Sequence, residues 1–187
     1  PIESYIDRHT IEFHPTLVDI LTDWRRNDRV QDWVRGRGSY NIQLSKNPLQ
    51  RHPYEPCYLY EAGIAPLAGY PLRGVIWYQG CSDANPDEAG TYYDRFVRFA
   101  ETARKDLGDI DIITVQLNHW KSGRNPEMDR CWGTVRDAQR RLAQDYDYIH
   151  IIPAMGLPMS DGIHNNSESN VIIGSRMAMV TLKEVYG

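Results

Sequence analysis

Apolar and polar positions fall into two regimes along this chain. From residue 73 onward, short continuous apolar runs alternate with longer stretches whose apolar residues recur at helical spacing. "RGVIWYQ" (73–79), "DIDIITVQL" (109–117) and "YIHIIPA" (148–154) read as strands covered on both faces. Between and after them lie three amphipathic stretches: "DEAGTYYDRFVRFAETARKDLG", "MDRCWGTVRDAQRRLAQDY" and "SESNVIIGSRMAMVTLKEVY". In the first, Tyr92, Phe96, Phe99 and Ala103 form one helical stripe, closed by Gly108. In the last, Ser167 or Ser169 is the expected N-cap. Strands alternating with helices of this length predict parallel βαβ units and a three-layer α/β sandwich.

The first third is different. "HPTLVDILTDWRRNDRVQDWVRG" has a helix-like rhythm at Leu17, Leu21, Trp24, Val30, Trp33 and Val34, ended by Gly36. "GRGSYNIQLSKNPLQRHPYEP" reads as an extended connection, and "LYEAGIAPLAGY" as a short helix broken at Pro66. The division expected is an irregular, helical segment over 1–53 packed on the core formed by 54–187.

Composition narrows the function classes. The 187 residues suffice for a sizeable core, 41% are hydrophobic, and the formal net charge of -4 gives no reason to expect a nucleic-acid partner. No apolar run approaches the ~20 residues that span a bilayer. No signal peptide is visible, but the first residue is Pro1, so this says nothing about secretion. Cys57, Cys81 and Cys131 lack CxxC spacing, which argues against a disulfide framework and a structural zinc. One pair plus a free thiol stays open; three buried small apolar residues is the commoner outcome.

In a parallel sheet, chemistry gathers beyond the carboxyl ends of the strands. Here those ends run into "YQGCSD", "QLNHW" and "PAMGLPMSDGIH". Asp161 and His164, three apart in a Gly-containing loop, can meet across a turn. Asp161 would then fix the imidazole tautomer and leave the other nitrogen as general base. The plainer reading is an Asp that caps a turn beside an exposed His. Gln79 can donate to a developing oxyanion, a contact worth ~3 kcal/mol, and Gly80 lets the backbone approach closely. The plainer reading is an amide that satisfies its own turn.

Taken together, "YEPCYLYEAGIAPLAGYPLRGVIWYQGCSDANPDEAGTYYDRF", "VQL" at 115–117, "DAQ" at 137–139 and the late Asp161/His164 pair resemble the sialate O-acetylesterase family of the SGNH-hydrolase superfamily. The order and spacing hold over roughly 54–180. The resemblance implies an SGNH-like, flavodoxin-like fold and a serine hydrolase that removes acetyl groups from sugar hydroxyls. It implies His164 as base, Asp161 as its partner, Gln79 and Gly80 at the oxyanion, and no metal or organic cofactor. Family habit implies a secreted, periplasmic or lysosomal setting.

Two departures qualify it. Relatives carry "YQGES" where this chain has Cys81, and the family's nucleophile turn, "GQSN"-like and following the first strand, has no counterpart here. Ser4, Ser39 and Ser45 lie outside strands, and Ser82 sits in the oxyanion loop. The chain thus resembles the C-terminal part of the catalytic domain, lacking the sheet's first strand. A companion polypeptide carrying the Ser block is the expected partner, with acetylated carbohydrate as substrate. The alternative is a non-catalytic carbohydrate-binding relative, favoured by Cys81.

The remaining candidates are weaker. His119 and Trp120 follow a strand end and are candidate cleft residues; Trp120 either stacks on a sugar or packs in its loop. His9 and His14 lack the register of a zinc pair. Arg73, Arg95 and Arg98 read as solvated charges, and Cys81, beside Gln79, lacks a base that would make it a nucleophile.

Overall fold

The computed structural model describes residues 1–47, 49–120 and 125–187. Its chain divides into two compact units, residues 1–70 with 98–108, and residues 71–97 with 109–187.

The second unit holds the sheet. β1 (Gly74–Trp77), β2 (Asp111–Gln116) and β3 (Ile149–Pro153) lie side by side in chain order, all parallel. Ile113 pairs in register with Ile76 on one side and His150 on the other. The connections contain α3 (Tyr92–Leu107) and α4 (Pro126–Asp145), and α5 (Ser167–Glu184) closes the chain. Alternation along β2 sends Ile113 and Val115 to one face, where Ile152, Ile173 and Met177 join them under α5. Ile112 and Thr114, on the opposite face, are equally buried. The parallel α/β architecture is the one that the apolar runs predicted, and β2 is buried on both faces, but β1 is not covered as its run predicted: Ile76 is 66% exposed.

Two helix starts follow capping chemistry. The Asn125 side chain accepts from the N–H groups of Glu127 and Met128, with Pro126 at the first position, where no N–H is needed. α5 is capped by Asn166, which accepts from Ser169 N, and not by either serine. The Ser169 hydroxyl turns away to donate to Pro158 O at 2.7 Å.

The first unit overturns part of the sequence reading. α1 (Arg8–Glu12) is a single turn-and-a-half, capped by Asp7. The segment expected to be a helix over 14–36 forms a 3-10 turn at Val18–Leu21 and then irregular turns. The helix α2 runs instead over Asp32–Ser45, through Gly36 and into the stretch expected to be extended. Tertiary packing explains the shift. A Cβ at Gly38 would come within 2.3 Å of the Trp24 ring, so Gly38 is a packing seat for Trp24 on α2. Trp24, Val30 and Val34 form the local core, with Ile42 and Tyr54 against it. "LYEAGIAPLAGY" becomes a π turn at Tyr60–Ile64 followed by a 3-10 turn at Ala65–Leu67.

Candidate active site

The loop after β3 folds on itself around one carboxylate. Asp161 Oδ1 accepts from the backbone N–H groups of Ile163 (2.8 Å) and His164 (2.7 Å), while Oδ2 meets His164 Nδ1 at 2.7 Å. The Ile163 N–H, then the His164 ring and backbone, hold the carboxyl down at about 2, so it stays ionised. Asp161 therefore caps the turn and holds the imidazole with the same carboxylate. A Nδ1–H donated to Asp161 leaves Nε2 as the basic lone pair. Both side chains are exposed.

A second anchor joins the strand ends. Asn118, buried just past β2, donates to Leu157 O at 2.9 Å and to Asn165 Oδ1 at 2.8 Å. Asn165 in turn donates to the Tyr78 hydroxyl at 2.5 Å. The residue following His164 is thus tied to the residue preceding Gln79. The end of β1, the end of β2 and the histidine loop are held as one rim.

Gln79 is held from several sides. Its Nε2 donates to Asp83, and the Tyr92 hydroxyl lies 3.4 Å from its Oε1 and 3.2 Å from its backbone oxygen. Gln139 Nε2 donates to the same backbone oxygen at 3.1 Å, while Gln139 Oε1 accepts from Leu117 N at 3.0 Å. Gly80 has φ of 133°, a conformation open to glycine, and a Cβ there would meet Gln139, Tyr92 and Val135 at 3.1–3.3 Å. Beneath lies a charged cluster: Arg95 Nη1 is 3.3 Å from Asp83 and 3.4 Å from Glu88. Arg95 is 3% exposed, Asp83 0% and Glu88 4%. Arg95 is no solvated charge, contrary to the sequence reading. Its spacing already signalled this, since it stands three residues after Tyr92 and four before Phe99, on the apolar stripe of α3.

Of the other candidates, His119 and Trp120 are half-buried beyond β2. The Trp120 ring lies 5.1 Å from that of Trp132, at 44°. Lys121 to Arg124 lie outside the described residues. Cys57 and Cys131 are buried, but Cys81 is exposed, so the expectation of three buried cysteines fails at the loop after β1. All three thiols are free. The protein packed around the Cys81 sulfur pushes its pKa up to about 11, which leaves it a poor nucleophile. Among the described residues no group of three or more His, Cys, Asp or Glu could hold a metal.

The profile of the carbohydrate esterase, sialic acid-specific acetylesterase family matches residues 28–183. The chain belongs to that family. Among solved structures it is similar to a carbohydrate acetylesterase from Xanthomonas citri, with a TM-score of 0.63 and 25% identity. That match covers 71% of this chain and 30% of the bacterial one. It is also similar to a protein from Arabidopsis thaliana, with a TM-score of 0.52 and 30% identity over 63% of this chain and 47% of the plant one. This acetylesterase-family chain thus spans less than half the length of either. No curated protein matches it. Among the described residues no helix is long and apolar enough to cross a membrane.

Proposed function

We propose that this chain carries the base, its orienting carboxylate and the oxyanion donors of an esterase that removes O-acetyl groups from sugars, sialic acid or a related glycan. The Asp161–His164 geometry carries the reading, because it leaves Nε2 directed by a fixed tautomer. A serine Oγ attacks the acetyl carbonyl carbon and gives its proton to His164 Nε2. The oxyanion takes hydrogen bonds from Gln79 Nε2 and the Gly80 N–H. Collapse expels the sugar oxygen, which takes the proton back from His164, and water then hydrolyses the acetyl-serine by the same route. Trp120 and His119 would face the sugar.

The serine comes from a segment outside residues 1–187, with a strand that pairs with β1. Among the described residues no hydroxyl meets His164 Nε2. The sheet supports the same view. Ile76 and Ile113 are register partners on one face, yet Ile113 is 1% exposed and Ile76 66%. Beside Ile76 runs a groove of about 330 Å³, lined by Leu72, Ile113, Thr181, Val185 and Tyr186. A bare apolar strand edge calls for a neighbour.

Fluorophosphonate labelling of the protein isolated from its source, followed by peptide mass spectrometry, tests this. Label on a serine outside the chain, abolished by His164→Ala, is the expected result. Label on Ser82 or any other serine of this chain would place the nucleophile elsewhere. No label, with acetylated sugar still bound, would make it a non-catalytic carbohydrate-binding relative.

A further inference from the structure

We infer that Asp83, braced by Arg95, is the positioning residue for Gln79: it takes one Nε2 hydrogen and so fixes where the other points. This deepens the reading of Gln79 as an oxyanion donor and rests on it. A primary amide has one acceptor oxygen and two N–H donors. Asp83 accepts from Nε2 through Oδ2, and the Tyr92 hydroxyl stands at Oε1. The second N–H has no acceptor among the described residues. Turning the amide over would set its oxygen against a carboxylate, so Asp83 selects a single orientation. A neutral partner could not enforce this, since an Asn side chain offers either an oxygen or an NH2.

The brace explains why a carboxylate is tolerated there. Asp83 uses its other oxygen, Oδ1, for Arg95. Arg95 Nη2 also donates to the Glu88 backbone oxygen at 2.9 Å, and Asn85 Nδ2 donates to Glu88 Oε2 at 2.7 Å and to Ser82 O at 3.0 Å. The loop 82–88 is therefore wrapped around one guanidinium. Cys81 reaches the surface while Asp83 points inward, so the carboxylate that anchors the oxyanion amide stands two positions further along the loop.

The test reads the amide itself, on the chain as it stands, by proton–nitrogen NMR with the Gln79 side-chain signal assigned through its loss in Gln79→Ala. The wild-type chain is expected to show two well-separated Gln79 Nε2 protons, one shifted downfield by the carboxylate. In Asp83→Asn the pair should return to the free-glutamine position while near-ultraviolet dichroism stays native. Should that variant not fold, Arg95→Lys, which loosens the brace, is expected to narrow the separation. A wild-type Gln79 amide at the free-glutamine position would overturn the inference, as would a shifted proton unchanged in either folded variant. The oxyanion role fails separately: Gln79→Ala with undiminished turnover in the assembled esterase, beside an intact NMR signature, would remove the role and leave the anchor.

Discussion

The two halves of the candidate site are built in opposite ways. The Asp161–His164 turn is exposed and its carboxylate is locally bonded, each contact to Asp161 spanning two or three residues. The Gln79 corner is buried below and non-local, with partners 4, 13 and 60 residues away. A local turn can place a catalytic pair without contributing much to the stability of the fold. A non-local network cannot be altered without disturbing the layers that it joins. Substitutions should therefore separate the two halves, costing activity in one and stability in the other.

The largest effect is expected at His164. His164→Ala removes an exposed ring, so the melting temperature should stay within experimental scatter of the parent. Hydrolysis of a simple acetyl ester by the assembled esterase should fall by a factor on the order of 10⁴ to 10⁶, as for loss of a base from such a triad. Comparable turnover in parent and variant would end the base assignment. A large fall in melting temperature would instead break the comparison, because the turn would then be part of the fold's support.

Arg95→Met should show the converse. It leaves Asp83 and Glu88 as buried carboxylates without their shared cation, a change that costs about 3–5 kcal/mol when one partner of a buried pair is removed. Urea unfolding measures this directly, and a loss below about 1 kcal/mol would show that the cluster is better hydrated than its burial implies. Gly80→Ala is expected to cost less, about 1–3 kcal/mol. The added methyl both strains a backbone at φ of 133° and presses on Gln139, Tyr92 and Val135. A neutral substitution there would mean that the loop shifts freely, and Gln79 with it.

The same contrast decides what could be read from sequence. The strands, α3, α4 and α5 were legible because each carries its own period, and Asp161 with His164 because three residues suffice to form the turn. Asp83 stood in view in "QGCSDA" but has no meaning without Arg95, twelve positions on and brought under it only by the fold. Asn118 and Asn165 were silent for the same reason, since 47 residues separate the ends of their hydrogen bond. In the first unit, local rules misled outright. Gly36 looks like a helix stop, yet α2 runs through it, and two positions on Trp24 needs the space that Gly38 leaves. Glycine as a breaker and glycine as a packing seat look alike in one dimension.

The smallest expected effect lies in the pH response of the exposed turn. Asp161 has its pKa lowered from an ordinary 3.8 to about 2, first by the Ile163 N–H and then by His164. The folded state thus holds the ionised form more firmly than the unfolded chain does. Its contribution is fully present above the unfolded value of 3.8, and it is lost as pH falls through about 2. The carboxyl is solvent-exposed, so screening keeps the effect on global stability slight. The measurement that resolves it is a carbon-13 titration of the Asp161 carboxyl, with a midpoint near 2 expected in the intact chain. His164→Ala should raise that midpoint only part of the way, because the Ile163 and His164 backbone N–H groups remain. A full return to 3.8 in this variant would mean that the imidazole alone orders the turn, and that the carboxylate caps nothing without it.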